Sequence, residues 1–541
     1  MSTLLIHTST GNRRLNAADG QSVRDVLDLT DLRVRAACGG TGGCGACGVR
    51  LLEGEVNPPT LAEHLKLTPE ERESGMRLAC QLRLRGDAEI LLDHPAPPSE
   101  WRSIPAEDLM PLDAARPELE RHIYGVAVDL GTTHIRIALW DRRHGRRIAT
   151  RRGLNPQYPF GADVLNRLAA ARGRPERARE MAKLARTAIV QAVRDILARD
   201  VGEVTPMLAQ IGRVLIVGNT AMLALLSGRG SEELVNPDNW QRAIDCRPAA
   251  GDAAAWQAEW YMPNAEVLVA PAVAGFIGSD LVADLIATGL TEGPAGSLLV
   301  DLGTNTEIAL WDGNRLHLTA VPGGPAFEGV GIRHGMPAEA GAICRVARRE
   351  GCRDGGGGFE LTMIGGAAPR GLCGSGLVDG IALMLADGTL KPSGRFAVRP
   401  PADGFRLDPA NPRSGITGGD VDAFQRAKAA TAAAMAELLT LAGMDWPDLR
   451  RLCVCGAFGR TLDIANAQRV GLLPPLAPAG IELVADATLA GCEQGLLSAD
   501  PAALFQGYSG KTVTKNLSLI ESYEDRFIDH LRLCPIPSLQ R

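Results

Sequence analysis

The stretch IYGVAVDLGTTHIRIALWD, residues 123–141, runs from an apolar segment through Asp-Leu-Gly-Thr into a second apolar segment that closes on Trp-Asp. It returns as SLLVDLGTNTEIALWDG, residues 297–313. Apolar runs on either side of a glycine turn predict strand, tight turn and returning strand in each copy. Asp129 and Asp301 stand 172 residues apart, which is the period of a duplicated domain and not of a solenoid. The chemistry of such a turn is direct. Gly131 and Gly303 let the backbone approach phosphate oxygens closely. Thr132, Thr133, Thr304 and the amide of Asn305 offer donors, and Asp129 and Asp301 end their strands as acceptors for a hydrated Mg²⁺. A purely structural hairpin accounts for one copy, whereas two copies with matching flanks favour a shared phosphate site. G-x-x-x-x-G-K-[ST] is absent, so this is no Walker loop.

Upstream lies ACGGTGGCGACGVRLLEGE, residues 37–55. Cys38, Cys44 and Cys47 follow a C-x5-C-x2-C spacing, and 32 residues then separate Cys47 from Cys80. Three thiolates on one loop and one distant thiolate suit a [2Fe–2S] centre, in which each iron takes two. Gly39, Gly40, Gly42, Gly43, Gly45 and Gly48 let the loop curl, take positive φ and aim N–H groups at the thiolates. Zinc is the competing reading, but zinc sites pair one C-x2-C with a second ligand pair, and only His64 is near. TLLIHT (3–8) and RRLNA (13–17) predict a hairpin, SVRDVLDL a helix capped by Ser22, and VRLLEGE and AEILLD further strands.

At 541 residues the chain exceeds one domain, and its 45% apolar content suffices for several cores. A net charge of −6 with no basic block argues against nucleic-acid binding. The first residues lack the apolar run of a secretory signal, and no stretch reaches membrane-spanning length. VLIVGNTAMLALLSG is interrupted by Asn219 and Thr220. The expectation is a cytoplasmic, reduced protein without disulfides, whose scattered cysteines are small buried apolar residues. Cys453 and Cys455 alternate in LCVCGAFG as strand residues do. The proline-rich segment 95–120 predicts a linker; it either leaves the first domain mobile over about 25–30 Å or packs down on the next one.

Several resemblances follow. Residues 1–94 resemble a β-grasp [2Fe–2S] ferredoxin, with MRLACQLRL as the segment of the fourth ligand, Cys80. The paired turns resemble the phosphate motifs of the actin / sugar kinase / Hsp70 superfamily, in which two RNase-H-like domains close on ATP. RLCVCGAFGRTLD then takes the place of the adenosine loop, with Gly456 and Gly459 against the nucleoside. The implied fold class is α/β plus α+β: a β-grasp ferredoxin followed by duplicated RNase-H-like lobes. The implied divisions are 1–94, the linker 95–120, a first lobe 121–294 and a second lobe 295–541.

The combination resembles the ATP-dependent reductive activators of corrinoid proteins. Further segments that carry this resemblance are NPQYPFGADVLNRL (155–168), APAVAGFIGSDLVADLIATG (270–289), GGPAFEGVGIRHGMPAEAGAI (323–343), GLCGSGLVDGIALML (371–385) and LSLIESYEDRFIDHLRLCP (517–535). It implies one-electron transfer from a [2Fe–2S] cluster to an inactive Co(II) corrinoid protein of a methyltransferase system, giving Co(I), with ATP and Mg²⁺ as further cofactors. It also implies an upstream electron donor and no nucleic-acid or membrane partner. The oligomeric state stays open, a homodimer included. The sequence departs from the family at Asp486, where Asn is expected, and at His134, where a small polar residue is common. It also lacks a small domain before the first lobe and carries only Cys534 near its end. Asp163, Glu307 and Glu328 are candidates to orient water, with none assigned. Ser375 is expected to cap a helix N-terminus, a phosphate or partner contact being the alternative. The competing functions are an electron activator of a radical dehydratase or aryl-CoA reductase, a redox-regulated small-molecule kinase, and an electron-transfer scaffold with an inactive ATPase.

Overall fold

The computed structural model describes all residues except 1, 10, 36–39, 41, 44, 96–98, 113–121, 162, 198–203, 322, 324, 330, 339–340, 350–357, 367–368, 402, 457, 459–460, 509 and 537–541. The first sheet contains β1 (Ser2–Thr8), β2 (Gly11–Ala17), β3 (Gly48–Val56), β4 (Met76–Leu78) and β5 (Leu84–Leu91), in the order β2-β1-β5-β3-β4. β1 and β5 are parallel and the other pairs antiparallel. The sheet grips helix Val23–Asp28, whose Val23, Val26 and Leu27 are buried with Leu4, Ile6, Leu82 and Ile90. Ser22 caps that helix as expected, its side chain accepting from the amide of Asp25.

The two apolar-turn-apolar stretches each open a unit with the same order of five strands, to which the second adds one edge strand. In the first, β6 (Tyr124–Leu130), β7 (His134–Asp141), β8 (Arg146–Leu154), β9 (Ile211–Gly218) and β10 (Glu266–Val269) run β10-β9-β6-β7-β8. The second follows β11 (Ser297–Leu302), β12 (Thr306–Trp311) and β13 (Leu316–Val321). Two small sheets are then inserted: β14 (Ala342–Arg348), β15 (Phe359–Met363) and β16 (Gly371–Leu372), and β17 (Phe405–Arg406) with β18 (Gly415–Ile416). β19 (Arg451–Gly456), β20 (Ile481–Val484) and β21 (Thr512–Thr514) complete the order β20-β19-β11-β12-β13-β21. The central strands β6 and β11 are buried almost throughout, so both faces are covered and their apolar runs are continuous.

The edge strand β10 and its counterpart β20 lead to equivalent helices, Ser279–Thr288 after β10 and Ala487–Leu497 after β20. These two helices lie between the sheets. One apolar cluster joins Ala127, Trp140 and Leu215 of the first unit to Val282, Leu489 and Leu496. A second joins Leu299, Leu318 and Cys453 of the second unit to Leu281, Leu285 and Ala487. Trp140 Nε1 donates to Glu493 Oε1 at 2.8 Å, and Arg147 grips the same carboxylate through Nε at 2.5 Å and Nη2 at 2.6 Å.

Residues 99–112 lie down on the first unit. Trp101 belongs to its core, and the backbones of Arg102 and Arg152 exchange hydrogen bonds of 2.8 and 2.6 Å. Of the two arrangements open to the proline-rich segment, packing is the one adopted by these residues. The described cysteines outside the first sheet are buried, apart from half-buried Cys534, as expected of small apolar residues. No helix among the described residues is long and apolar enough to cross a membrane.

Candidate functional site

Two of the four expected cluster ligands are described. Cys47, leading into β3, and Cys80, after β4, are buried, with their sulfurs 3.4 Å apart. Two thiolates on one tetrahedral metal at about 2.3 Å stand roughly 3.8 Å apart, so the pair fits one iron of a [2Fe–2S] centre after a small adjustment. The contact with Cys80, together with burial, pushes the Cys47 thiol up. A metal relieves that cost by taking the thiolate. Gly40, Gly42 and Gly45 have φ of +97°, +83° and +73°, the left-handed turns the cysteine loop was expected to need. Cys38 and Cys44 lie outside the described residues, as does Gly459 of the adenosine-loop segment.

The second site is a cleft between the two units, with about 680 Å³ of space counting its open mouth. Asp129, Gly131, Thr132 and Thr133 line it from one side, and Asp301, Gly303, Thr304, Asn305 and Gly456 from the other. The two turns touch: the hydroxyls of Thr133 and Thr304 are 3.0 Å apart, and both reach Glu328 Oε2, at 3.1 and 2.6 Å. The first turn is braced by Asn155, whose side chain donates to Gly131 O at 2.8 Å, and by Asn219, which donates to Thr132 Oγ1 at 2.9 Å. Gly456 has φ +87°, and a Cβ there would stand 2.1 Å from Asp301 Oδ1, so only glycine brings β19 this close to the carboxylate.

The electrostatics are lopsided. Six carboxyl groups line the cleft (Asp129, Asp280, Asp301, Glu307, Glu328 and Asp486) against Arg136 and His134. Burial pushes Asp301 up to about 6 and Asp280 up to about 7, and raises Glu307 well above the ordinary range. Asp301 Oδ1 is buried without a hydrogen-bond partner. Such a site gains from a cation. Among the described residues no three acidic, histidine or cysteine side chains converge on a metal position. A Mg²⁺ that keeps its waters and takes one carboxylate and phosphate oxygens needs no such cage, so these residues fit it.

Sequence reasoning missed Arg136, Asp280 and Asn219. Arg136 sits opposite Asp129 in the β6–β7 ladder and bonds it at 2.8 Å, while its Nε lies 3.0 Å from Asp486. Burial works against its charge, and Asp486 and Asp129 more than offset this. Asp486 takes a left-handed φ of +48°, which Asp tolerates better than most residues. Asp486, where Asn was expected, thus supplies a carboxylate to Arg136. Strand register would have found Arg136, but nothing local marks its pairing with Asp486. Of the water-orienting candidates, Glu307 and Glu328 line the cleft, whereas Asp163 caps helix Val164–Ala171 away from it. The expectation for Ser375 is corrected. Cys373 is the cap residue, and Ser375 lies inside helix Gly374–Ala386, where its hydroxyl donates to Cys344 O at 2.8 Å. The next residue, Gly376, lets the helix start against β14, since a Cβ there would stand 2.1 Å from Ile343 O.

Fold and site together define a class: a [2Fe–2S]-type ferredoxin domain joined to an ASKHA-type two-lobed domain. Comparison with known proteins gives the family. Residues 295–536 match the C-terminal domain of RACo, the ASKHA domain; residues 124–293 match the RACo middle region; and residues 7–85 match the 2Fe-2S iron-sulfur cluster binding domain. The chain belongs to the RACo family. It is 30% identical over 411 residues to the "Corrinoid activation enzyme RamQ" of Eubacterium limosum, covering 72% of this chain and 66% of that protein. It is 28% identical over 383 residues to the "[Co(II) methylated amine-specific corrinoid protein] reductase" of Methanosarcina barkeri, covering 65% and 66%. The alignments thus span just under two thirds of each relative. A solved "Reductive activator for corrinoid,iron-sulfur protein" shares the fold over 98% of both chains, with TM-score 0.65 at 24% identity.

Proposed function

We propose that this chain reductively activates a corrinoid protein, passing one electron from a [2Fe–2S] cluster to a Co(II) corrinoid in a cycle driven by ATP. The observation that carries the reading is the joining, in one chain, of a buried thiolate pair in a ferredoxin fold to an acid-lined cleft whose two phosphate turns meet across the lobes. The names of the relatives support the same substrate class.

The cluster, held by Cys38, Cys44, Cys47 and Cys80, would supply a one-electron donor. Its oxidation by one electron balances reduction of the substrate cobalt from Co(II) to Co(I), and an upstream donor restores it. Plant-type clusters lie near about −400 mV. A cobalt couple 100 mV lower makes the transfer uphill by about 2.3 kcal/mol per electron. ATP closes that gap only if the two lobe arrangements bind the partner with different affinity.

The chain's own residues have defined parts in this scheme. Gly131, Gly303, Thr132, Thr133, Thr304 and Asn305 present donors to the phosphates. Asp129 and Asp301 would hold a hydrated Mg²⁺, with Arg136 balancing the charge at Asp129. Gly456 and Gly459 accept the nucleoside against the backbone. Glu328, reached by both threonines, stands where a water attacking the terminal phosphate would be held. Glu307 is deeply buried, and that burial pushes its carboxyl well above the ordinary range. Loss of the terminal phosphate removes the ligand shared by both turns, and the helices Ser279–Thr288 and Ala487–Leu497 carry the resulting movement.

The test mixes the reduced protein with candidate corrinoid proteins in the Co(II) state and follows the Co(I) absorption band. The band should appear with Mg·ATP and stay weak without it. A reduced, nucleotide-binding protein that yields no Co(I) from any of them overturns the reading.

A further inference from the structure

Away from the cleft, a buried ionic network crosses from the ferredoxin domain to the first lobe. Arg24, on helix Val23–Asp28, is only 3% exposed. Its amide donates to Ala79 O at 3.0 Å, the residue before Cys80. A Cβ added at Gly40 would stand 2.9 Å from Arg24 Nη1, so the guanidinium lies against the cysteine loop. Its other terminal nitrogen, Nη2, donates to Ile196 O at 2.7 Å. Ile196 is in the last turn of helix Pro175–Leu197, where the unpaired carbonyls favour a cation. Arg24 Nε is 3.5 Å from Asp28 Oδ2. The same Asp28 oxygen accepts from Arg151 Nη2 at 2.8 Å, and Arg151 Nε bonds Asp195 at 2.5 Å. One guanidinium therefore touches both the loop expected to wrap the cluster and the lobe expected to hold the nucleotide.

We propose that Arg24 is a positioning residue that sets the reduction potential of the iron–sulfur centre, its fixed charge being held against the cluster loop by its bond to the first lobe. The proposal rests on the [2Fe–2S] reading of the four cysteines. The physical argument is one of charge. Reduction adds an electron to a centre that is already anionic, and net charge, hydrogen bonds and solvent exposure are what move such potentials. A buried cation at this range favours the reduced form far more than it would in water. Arginine keeps its charge throughout, and its fork allows it to hold a carbonyl and face the loop at once.

A merely mechanical tie predicts the opposite sign. Loosening the loop admits water, which stabilises the added electron and raises the potential. Loss of the Arg24 charge lowers it.

The experiment is an EPR-monitored redox titration of the full-length, iron-sulfide-reconstituted chain, comparing wild type with R24Q, R24K and D28N. The expected result is a more negative midpoint for R24Q and one near wild type for R24K. D28N removes the negative charge that offsets Arg24, so its midpoint should rise. An R24Q midpoint that is unchanged or higher overturns the proposal. If R24Q holds no cluster, D28N decides: a raised midpoint sustains the proposal and an unmoved or lowered one overturns it. Wild-type protein without a [2Fe–2S] signal overturns the cluster reading itself, whereas a wild-type signal with an unmoved variant overturns only the role of Arg24.

Discussion

Gly491 sits in the middle of helix Ala487–Leu497, at its crossing with helix Ser279–Thr288. On an open helix, Gly→Ala stabilises by about 1 kcal/mol. Here a Cβ would stand 1.8 Å from Ala283 O and 2.4 Å from Ala283 C. A carbon normally approaches a carbonyl oxygen to about 3.3 Å, so the helices must part by roughly 1.5 Å. The obstruction is backbone and cannot rotate aside. A gap of about 0.5–1 Å already forfeits a quarter to a half of each dispersion contact. Both interlobe clusters, around Leu489 and Leu496 and around Leu281 and Leu285, would open. Overpacking costs about 1–3 kcal/mol, and the top of that range applies; less the propensity gain, Gly491→Ala should destabilise by about 2 kcal/mol. For lobes of this size that lowers the melting temperature by about 4–8 °C. Calorimetry of the full chain measures it, with Gly251→Ala as the control. Gly251 lies in helix Ala250–Trp260 with nothing within 4 Å of its Cβ position, so its variant should melt at or above wild type. A Gly491→Ala protein as stable as wild type, or more so, would refute the argument that close helix approach dictates this glycine.

Arg151→Met removes the buried guanidinium that bonds both Asp28 and Asp195, leaving Asp28 its longer pairing with Arg24, at a cost of about 3 kcal/mol. Faster proteolysis within 95–121 and a larger radius of gyration by X-ray scattering should follow. Cys80→Ser should abolish the visible absorption of reconstituted protein, while Cys453→Ser, which alters a thiol buried in β19, should leave it intact. At the C-terminal helix Glu521–Asp529, burial and then the Lys428 charge push His530 down to about 4, from 6.5 when unfolded. The unfolded segment therefore binds the proton first. Docking of this helix is unaffected above about pH 6.5 and weakens as pH falls from there towards 4. Amide exchange over 521–529 at pH 7.5 and pH 5 reads this out, and His530→Gln should flatten the difference.

The doubled fold was legible because its signals are local. Each Asp-Leu-Gly-Thr turn states its own hairpin, and a repeat at a fixed offset implies a repeated sheet. The two sheets accordingly share one strand order, apart from β21 added at the edge of β13. Glycines at positive φ in the cysteine loop were legible for the same reason. Ser375 was misread because a serine at a helix start is ambiguous by one or two positions, and the choice fell to the carbonyl of Cys344. The behaviour of 99–112 was open in the sequence because proline content states stiffness, not docking. Trp101 decided it by finding the core of the first lobe.

By itself, then, the sequence determined the strand-turn-strand units, their duplication and the cysteine spacing, since these depend on side-chain periodicity and backbone freedom within a few residues. Only the tertiary structure decided that Glu328 reaches both turns, that Arg136 holds Asp129 and Asp486 together, that Glu493 closes on Trp140 and Arg147, and that Arg24 stands between the cysteine loop and Ile196. Most of these contacts join charged or polar groups more than a hundred residues apart. Their energy comes from sharing a buried, low-dielectric space, and that space exists only once the lobes have packed.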